Sequence, residues 1–215
     1  MSPFPVILSS PSGAGKTTIA RELLKKRDDL GYSVSCTTRP ARPDEEDGRD
    51  YYFLTSEEFE AGRARGDFAE SAEVHGHFYG TLRREVDRVL ESKRHVIMDI
   101  DVQGARQFVQ AYPQSVLVFV LPPNAQTMLS RLTSRGTESG DSLARRLRSA
   151  VFELRSVDIY GYLVINDDLG RAVKQVSGII DAEGSSLEHV EGYRDRIGAM
   201  VADLEVELSK MNRSV

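Results

Sequence analysis

Residues 9–18 are Ser9-Ser10-Pro11-Ser12-Gly13-Ala14-Gly15-Lys16-Thr17-Thr18, and this stretch decides the fold of the chain. An apolar run, Val6-Ile7-Leu8, precedes it, and a helical pattern follows from Thr17. In a phosphate-binding loop between a strand and a helix, backbone N–H groups at the helix N-terminus surround the phosphates of a nucleotide. The sequence therefore predicts a nucleotide site at this turn.

Two residues of the loop have specific chemistry. In this motif the lysine reaches the β- and γ-phosphates and the next hydroxyl holds Mg²⁺, which assigns Lys16 and Thr17 to those roles. The strict pattern has a glycine where this chain has Ser10. Serine tolerates fewer backbone conformations than glycine, but it removes no phosphate-facing group. We therefore expect a working phosphate loop rather than the alternative, an ordinary surface turn.

Bulk composition limits the function classes. The 215 residues are 40% hydrophobic and 28% charged, which is typical of a globular chain with one sizeable core. A net charge of −5 disfavours a nucleic-acid partner. The single cysteine, Cys36, cannot form an internal disulfide, which indicates a reducing compartment and so the cytoplasm. No signal peptide is expected, because Met1–Pro5 carries no basic residue and leads directly into the first strand. No membrane partner is expected, because no apolar run reaches 18 residues.

Apolar strands alternate with amphipathic helices, which is typical of an α/β fold with a doubly wound parallel sheet. Strands are expected at about 4–9, 32–37, 68–74, 95–101, 115–121 and 162–166. Helices are expected from Thr17, over 56–64, from Thr81, over 104–112, after Asn124, after residue 141 and over 169–182. The polar segment 38–56 is long for a loop and is rich in arginine and tyrosine, which favours a functional role over disorder.

Two acids, Asp99 and Asp101, end the expected strand 95–101. Side chains two residues apart on a strand share a face, and the ligand crevice of an open α/β sheet lies beyond the carboxyl ends of its strands. We therefore expect the pair to serve Mg²⁺ and a hydrogen-bond donor of a substrate. The alternative is that these acids are solvated or cap a helix.

Arginines form a second cluster along the chain: Arg39, Arg42, Arg131, Arg135, Arg145 and Arg146. Transfer between two phosphates must offset dense negative charge, and the planar guanidinium suits phosphate oxygens. Each arginine alone is typical of a surface, so the hypothesis depends on several of them converging.

Residues 184–215 form a separate segment. Gly184 interrupts the chain, and Ser185 with Glu188 predicts a capping box at the start of a helix. Apolar residues then recur at coiled-coil spacing: Ile197, Val201, Leu204, Leu208 and Met211. The stripe is too short to establish a coiled coil. A helix packed on its own domain and a homo-oligomer formed through this helix both stay open.

Short stretches in a fixed order over about residues 4–183 resemble the guanylate kinase family. They are Ser12–Thr17, Ser33–Arg39, Gly48–Tyr51, Glu70, Phe78–Thr81, Asp99–Gly104, Arg135–Glu138 and Ile165–Asp168. The resemblance implies a P-loop NTPase-type sheet, with an inserted α+β lobe for the nucleoside monophosphate, a lid and a C-terminal helical extension. The expected boundaries are a core of 1–37 and 92–183, a GMP-binding lobe of 38–91, a lid of about 135–146 and an extension of 184–215.

The resemblance also implies roles for individual residues. ATP would be bound by Ser12, Gly13, Ala14, Gly15, Lys16, Thr17, Thr18 and Arg135, with Asn166 near the adenine. The GMP phosphate would be held by Arg39, Arg42, Tyr51 and Tyr79, and guanine would contact Ser35, Glu70, Thr81 and Asp101. Catalysis would depend on Lys16, Arg39, Arg135 and Arg146, and Mg²⁺ on Thr17 and Asp99.

The expected activity is transfer of the γ-phosphoryl group of ATP to GMP, giving ADP and GDP. The physical chemistry agrees, because guanine presents N–H donors that a carboxylate such as Glu70 complements and adenine does not. Two alternatives are a guanylate-kinase-like scaffold that binds phosphorylated peptides and a P-loop kinase for a sugar phosphate. The retained Lys16, Thr17 and Asp99 favour an enzyme over a scaffold.

Overall fold

The computed structural model describes residues 2–11, 13–74, 76–133 and 140–212. In this part of the chain the strands are β1 (Pro5–Ser9), β2 (Leu30–Tyr32), β3 (Ser35–Thr37), β4 (Tyr52–Phe53), β5 (Phe68–Val74), β6 (His77–Leu82), β7 (His95–Asp99), β8 (Val116–Leu121) and β9 (Tyr162–Ile165). The α-helices are α1 (Lys16–Lys26), α2 (Ser56–Arg65), α3 (Arg83–Glu91), α4 (Val102–Ala111), α5 (Ala125–Thr133), α6 (Gly140–Arg155), α7 (Leu169–Glu183) and α8 (Tyr193–Asn212).

A five-stranded parallel sheet with the order β2-β7-β1-β8-β9 forms the centre of the molecule. Alternate residues of β1 face opposite layers of helices. Val6 and Leu8 pack with α1 and α7, whereas Ile7 packs with α3 and α4. Burying each of these side chains contributes on the order of 1.5–3 kcal/mol. The expected P-loop NTPase-type fold with a doubly wound parallel sheet is confirmed.

A second sheet has four strands in the order β4-β3-β6-β5. The pairs β3–β6 and β5–β6 are antiparallel, and β3–β4 is parallel. Phe59 of α2 stacks on Phe68 and Phe78 with ring centroids 4.5 and 5.3 Å apart, so this sheet has its own small core. The capping box that begins α2 is formed by Thr55 and Glu58.

The single strand expected at 32–37 is wrong. The chain forms β2 in the parallel sheet, leaves it after Tyr32, and forms β3 in the second sheet from Ser35. Val34 is buried between them, so one alternating pattern of apolar and polar residues spans two strands that belong to different sheets. The helix expected from Thr81 is also displaced, because Thr81 is inside β6 and α3 begins at Arg83.

The segment after α7 folds back on the parallel sheet, and the capping box expected at Ser185 is wrong. His189 is buried against the Phe4 ring at 4.0 Å between centroids, and its ring nitrogens lie 3.0 Å from the Glu183 carbonyl and 3.1 Å from that of Gln114. The helix α8 begins only at Tyr193. Its apolar stripe is half exposed at Ile197, Val201 and Leu204, and the side chains of Leu208 and Met211 lie outside the described residues.

Candidate functional site

The phosphate loop connects β1 to α1. Gly13 and Gly15 have φ of 86° and 96°, values that favour glycine, and Gly15 is the residue before the first helical residue, Lys16. Ser10 is not among the described residues with positive φ; it is buried and donates from its hydroxyl to the Pro11 carbonyl. The glycine missing at this position is therefore not needed, and the expectation that the loop tolerates serine is consistent with this backbone.

The backbone and side chain of Asn166 link this loop to the parallel sheet. Its backbone N–H donates to the Leu121 carbonyl at 2.7 Å, and its side-chain amide donates to the Ala14 carbonyl at 2.7 Å. A side chain on Gly15 would meet that amide, since a Cβ there would lie 2.5 Å from Nδ2. The Asn166 amide thus braces the loop against the end of β9, a contact that the sequence did not indicate.

Thr17 and Asp99 meet at the end of β7. The Thr17 hydroxyl donates to Oδ2 of Asp99 at 2.5 Å, and the Tyr32 hydroxyl lies 3.3 Å from the other carboxylate oxygen. Burial, together with the charge of Asp99, raises the pKa of Tyr32, so this hydroxyl stays protonated as a donor. Two hard oxygen atoms therefore lie side by side at the phosphate loop.

Asp101 does not share a strand face with Asp99, contrary to the sequence expectation. The strand β7 ends at Asp99, and Asp101 is the N-cap of α4. Its Oδ1 accepts the Gly104 N–H at 2.7 Å. The alternative reading for an acid in this position, helix capping, is thus correct for one of its oxygens, and the residue still lines the cavity described below.

Glu70 of β5 is a buried acid in the second sheet. It is 6% exposed, and its Oε1 accepts the hydroxyl of Thr81 at 2.7 Å. Burial, with a further contribution from the nearby charge of Asp101, raises its pKa to about 7, although the Thr81 hydrogen bond opposes this shift. Within the described part of the chain, this carboxyl group forms no ion pair with a cation.

Arg39 lies at the edge of the second sheet in a two-pronged ion pair with Glu45. The two N···O distances are 2.8 and 2.9 Å, and both side chains are less than 15% exposed. The hydrogen bonds from Arg39 hold the pKa of Glu45 at about 2. The Arg39 guanidinium also lies 5.3 Å from the Tyr51 ring, whose centroid is 6.1 Å from that of Tyr79. The backbone N–H of Arg42 donates to Glu45 at 2.9 Å, whereas its guanidinium lies 3.7 Å from the carboxylate and is mostly exposed.

One cavity of about 650 Å³ lies between the two sheets. Twelve of the site residues expected from the sequence line it: Gly13, Gly15, Lys16, Thr17, Thr18, Ser35, Tyr51, Glu70, Tyr79, Asp99, Asp101 and Arg146. They come from the phosphate loop, the end of β7, the second sheet and α6. The cavity thus joins a cationic, amide-rich end to an end that contains the buried carboxyl of Glu70.

Seven expected residues do not line the described wall. Ala14, Thr81 and Asn166 are buried behind it, and Arg39 and Arg42 are paired with Glu45. Ser12 and Arg135 lie outside the described residues, as does 135–139 of the expected lid, whereas 140–146 is the start of α6. Sequence reasoning missed Tyr32, Glu45 and Gly104 as contacts of site residues, because the sequence pattern does not show which side chains meet across elements or within an irregular loop.

The comparisons with known proteins agree on one family. A family model described as guanylate kinase matches residues 2–183. The guanylate kinases of Thermotoga maritima and Symbiobacterium thermophilum are 46% and 47% identical over 177 and 178 residues, which is 82% and 83% of this chain and 86% and 84% of theirs. The crystal structure of guanylate kinase from Anaplasma phagocytophilum is 32% identical and superposes with a TM-score of 0.74, covering 90% of this chain and 93% of that one. Within the described part of the chain, no helix is both long and apolar enough to span a membrane.

Proposed function

Because the chain belongs to the guanylate kinase family, we propose that it transfers the γ-phosphoryl group of ATP to GMP, giving ADP and GDP. One observation carries the proposal. The cavity that contains the phosphate loop with Lys16 also contains the buried carboxyl group of Glu70. A triphosphate at one end and a guanine at the other would therefore bring their phosphates together in the space between.

The donor half of the site is built by the parallel sheet. The loop at Gly13–Thr18 presents backbone N–H groups, the N-terminus of α1 and the Lys16 ammonium to the β- and γ-phosphates. Arg146 enters the same cavity from α6. We assign these groups to the charge that develops on the transferring phosphoryl group. Asn166 would act by bracing the loop, and its position behind Ala14 does not support a direct adenine contact.

The acceptor half is built by the second sheet and the start of α4. Guanine has N–H donors at N1 and N2, and the carboxylates of Glu70 and Asp101 are acceptors that face the cavity with Ser35. Adenine has no such donor edge and would leave the cavity-facing acceptors of Glu70 and Asp101 unmatched, a mismatch that gives a selectivity of roughly 10⁴ for guanine. Tyr51 and Tyr79, which line the cavity, would hold the GMP phosphate together with Arg39, which lies against Tyr51, and Arg42.

The chemistry needs no general base. An anionic oxygen of the GMP phosphate attacks the γ-phosphorus, and the bond from that phosphorus to the bridging oxygen of ADP breaks as the new bond forms. Positioning and charge stabilisation supply the rate. The residues of this chain therefore orient two phosphates and neutralise them, and none has to move a proton.

The oxygen set at the donor end fits Mg²⁺. Thr17 and Asp99 offer a hydroxyl and a carboxylate 2.5 Å apart beside the phosphate loop, and Mg²⁺ prefers such hard ligands together with substrate phosphates. We propose that these two residues hold the ion directly or through water. A bound Mg²⁺ would neutralise the charge that builds up between the phosphates.

An acceptor panel tests this function. ADP release from ATP is measured with GMP, dGMP, AMP, CMP, UMP and a sugar phosphate at equal concentrations. Turnover with guanine nucleotides at least 100-fold above that with the other acceptors is expected. Fast turnover with a sugar phosphate would overturn the proposal, as would tight phosphopeptide binding without any turnover.

Two further properties are proposed rather than derived from contacts. The exposed Ile197, Val201 and Leu204 of α8 support a homo-oligomer formed through this helix. Light scattering of the full chain and of a chain ending at residue 192 would give the number of chains per particle. The same number for both would contradict the proposed homo-oligomer. The single buried thiol of Cys36 supports a reducing compartment, the cytoplasm.

A further inference from the structure

The backbone of Gly104 lies so close to the carboxyl group of Glu70 that a side chain at residue 104 would not fit. It is the third residue of α4, and a Cβ built on its backbone would lie 2.6 Å from Oε2 and 3.2 Å from Cδ of Glu70. The same Cβ would be 3.4 Å from Oδ1 of Asp101. Real Cβ atoms do not approach other atoms within 3.0 Å, so alanine here would have to displace the carboxyl group.

Glu70 has little freedom to move away. It is buried at 6% exposure, and on its other side Oε1 accepts the hydroxyl of Thr81, which is itself fully buried in β6. Glu70 and Thr81 are opposite each other in the antiparallel pairing of β5 with β6. The carboxyl group is therefore held between the hydroxyl of one strand and the bare backbone of α4.

The backbone at residue 104 does not require glycine. Gly104 is inside a helix and is not among the described residues with positive φ. Its N–H donates to Asp101, which residues other than proline can also do. Glycine in a helix interior is less stable than alanine by roughly 0.5–1 kcal/mol. The absence of a side chain is thus explained by the space that Glu70 occupies, rather than by helix geometry.

We propose that Gly104 is a positioning residue that determines specificity, because its bare backbone fixes the Glu70 carboxyl group beside Asp101 where the two acids meet the guanine base. This inference rests on the proposed function, which places guanine at these acids. The start of α4 thus orients the Glu70 carboxyl group, which selects the acceptor nucleotide.

The test is Gly104→Ala, with Gly178→Ala as the matched control. Gly178 is also inside a helix, α7, but a Cβ there meets nothing within 4 Å. Gly104→Ala should raise the KM for GMP at least tenfold and leave the KM for ATP within twofold, and Gly178→Ala should change neither. An equal rise in both KM values, or no rise in that for GMP, would overturn the inference.

A second variant tests whether the effect passes through Glu70. Glu70→Asp shortens the side chain by one methylene and so makes room for a Cβ at residue 104. Gly104→Ala should lower kcat/KM for GMP in both backgrounds, but the factor should be several-fold smaller in Glu70→Asp than in the wild type. Independent, multiplicative losses would overturn the inference.

Thermal unfolding gives a readout that does not depend on turnover. Gly104→Ala should lower the Tm of the wild type and should not lower that of Glu70→Ala, in which the clash is absent. A Tm loss of equal size in both backgrounds would contradict the inference. If the wild-type chain is inactive with GMP, the proposed function and this inference both fail; if it is active and the Gly104→Ala variant matches it, this inference fails alone.

Discussion

The hydroxyl of Thr17 donates to the carboxylate of Asp99 at 2.5 Å, which joins the first turn of α1 to the end of β7. Tyr32 contacts the second oxygen of the same carboxylate from β2. The helix α1 and the strand β2 thus hold one acid from two sides. The carboxylate is oriented before any ligand arrives, which lowers the cost of assembling a site for a divalent ion.

Asp99→Asn should lower kcat/KM at least 100-fold and shift the Mg²⁺ concentration that gives half-maximal activity upward, because an amide is a poorer ligand for Mg²⁺ than a carboxylate. Tyr32→Phe removes one hydroxyl and should produce a smaller shift, of a few-fold, in the same direction. Mg²⁺ titrations of activity measure both. Asp28→Asn, at an exposed position, is the control, and an unchanged Mg²⁺ requirement for Asp99→Asn would contradict the assignment.

Lys16→Met should reduce turnover by at least 100-fold while the melting temperature stays within a few degrees. The side chain lines the cavity at the phosphate loop, and methionine keeps its length without its charge. ADP release and thermal unfolding measure the two properties. Lys174→Met, on the exposed face of α7, should leave both unchanged. Wild-type turnover in Lys16→Met would remove this lysine from the mechanism.

Glu45→Gln should raise the KM for GMP about tenfold, because the neutral amide loses one of the two charge-assisted contacts that orient Arg39. The KM for ATP should change less than twofold. The neighbouring Glu46→Gln is the matched control, since Glu46 pairs with the exposed Arg49 and does not touch Arg39. If both variants gave the same small effect, the Arg39–Glu45 pair would have no part in acceptor binding.

Glu70→Gln should raise the KM for GMP by at least tenfold and leave the KM for ATP nearly unchanged. The amide presents one acceptor and one donor where the carboxylate presents two acceptors to the guanine N–H groups. Steady-state kinetics with each nucleotide varied in turn measures the split. Equal changes in the two KM values would exclude Glu70 from the acceptor site.

Stability should depend on pH through the same group. The pKa of Glu70 is about 7 in the folded chain against 4.5 as its ordinary value. Between these two values the folded state holds a proton that the unfolded chain has lost, so the free energy of unfolding falls as pH rises through this window, by about 3 kcal/mol in all.

Urea unfolding of the wild type and of Glu70→Gln at pH 5 and pH 8 measures this effect. The glutamine does not titrate, so the variant should gain stability relative to the wild type as pH increases. Parallel pH profiles for the two proteins would show that Glu70 is not the group responsible.

Much of this fold follows from local pattern. The strand–loop–helix at residues 5–26 and the helix expected over 56–64 follow from short-range sequence signals, and both are present in the structure. Apolar periodicity cannot tell which sheet a strand joins, and the expected strand 32–37 failed for that reason. The expectation that Asp101 shares a strand face with Asp99 is wrong for a different reason. An acid at the end of a strand and a helix N-cap look alike in sequence until the last paired residue of the strand is known.

The contacts that orient the site could not be predicted for a related reason. Tyr32 beside Asp99 and Gly104 beside Glu70 are set by packing between separate elements, and Glu45 beside Arg39 by the conformation of the loop between β3 and β4. Spacing along the chain carries no information about such pairs. The residues that would touch ligands were found by motif, and those that hold them in place were found only in three dimensions.

The strands β2 and β7 are neighbours in the parallel sheet, with Leu30 opposite His95 and Tyr32 opposite Ile97. The segment between them, which includes the whole second sheet, therefore leaves the parallel sheet after β2 and rejoins it at the neighbouring strand β7. Exchanging or lengthening that inserted segment would leave the pairing of the parallel strands unchanged. The choice of acceptor could accordingly diverge in evolution while the machinery that handles the triphosphate stays constant.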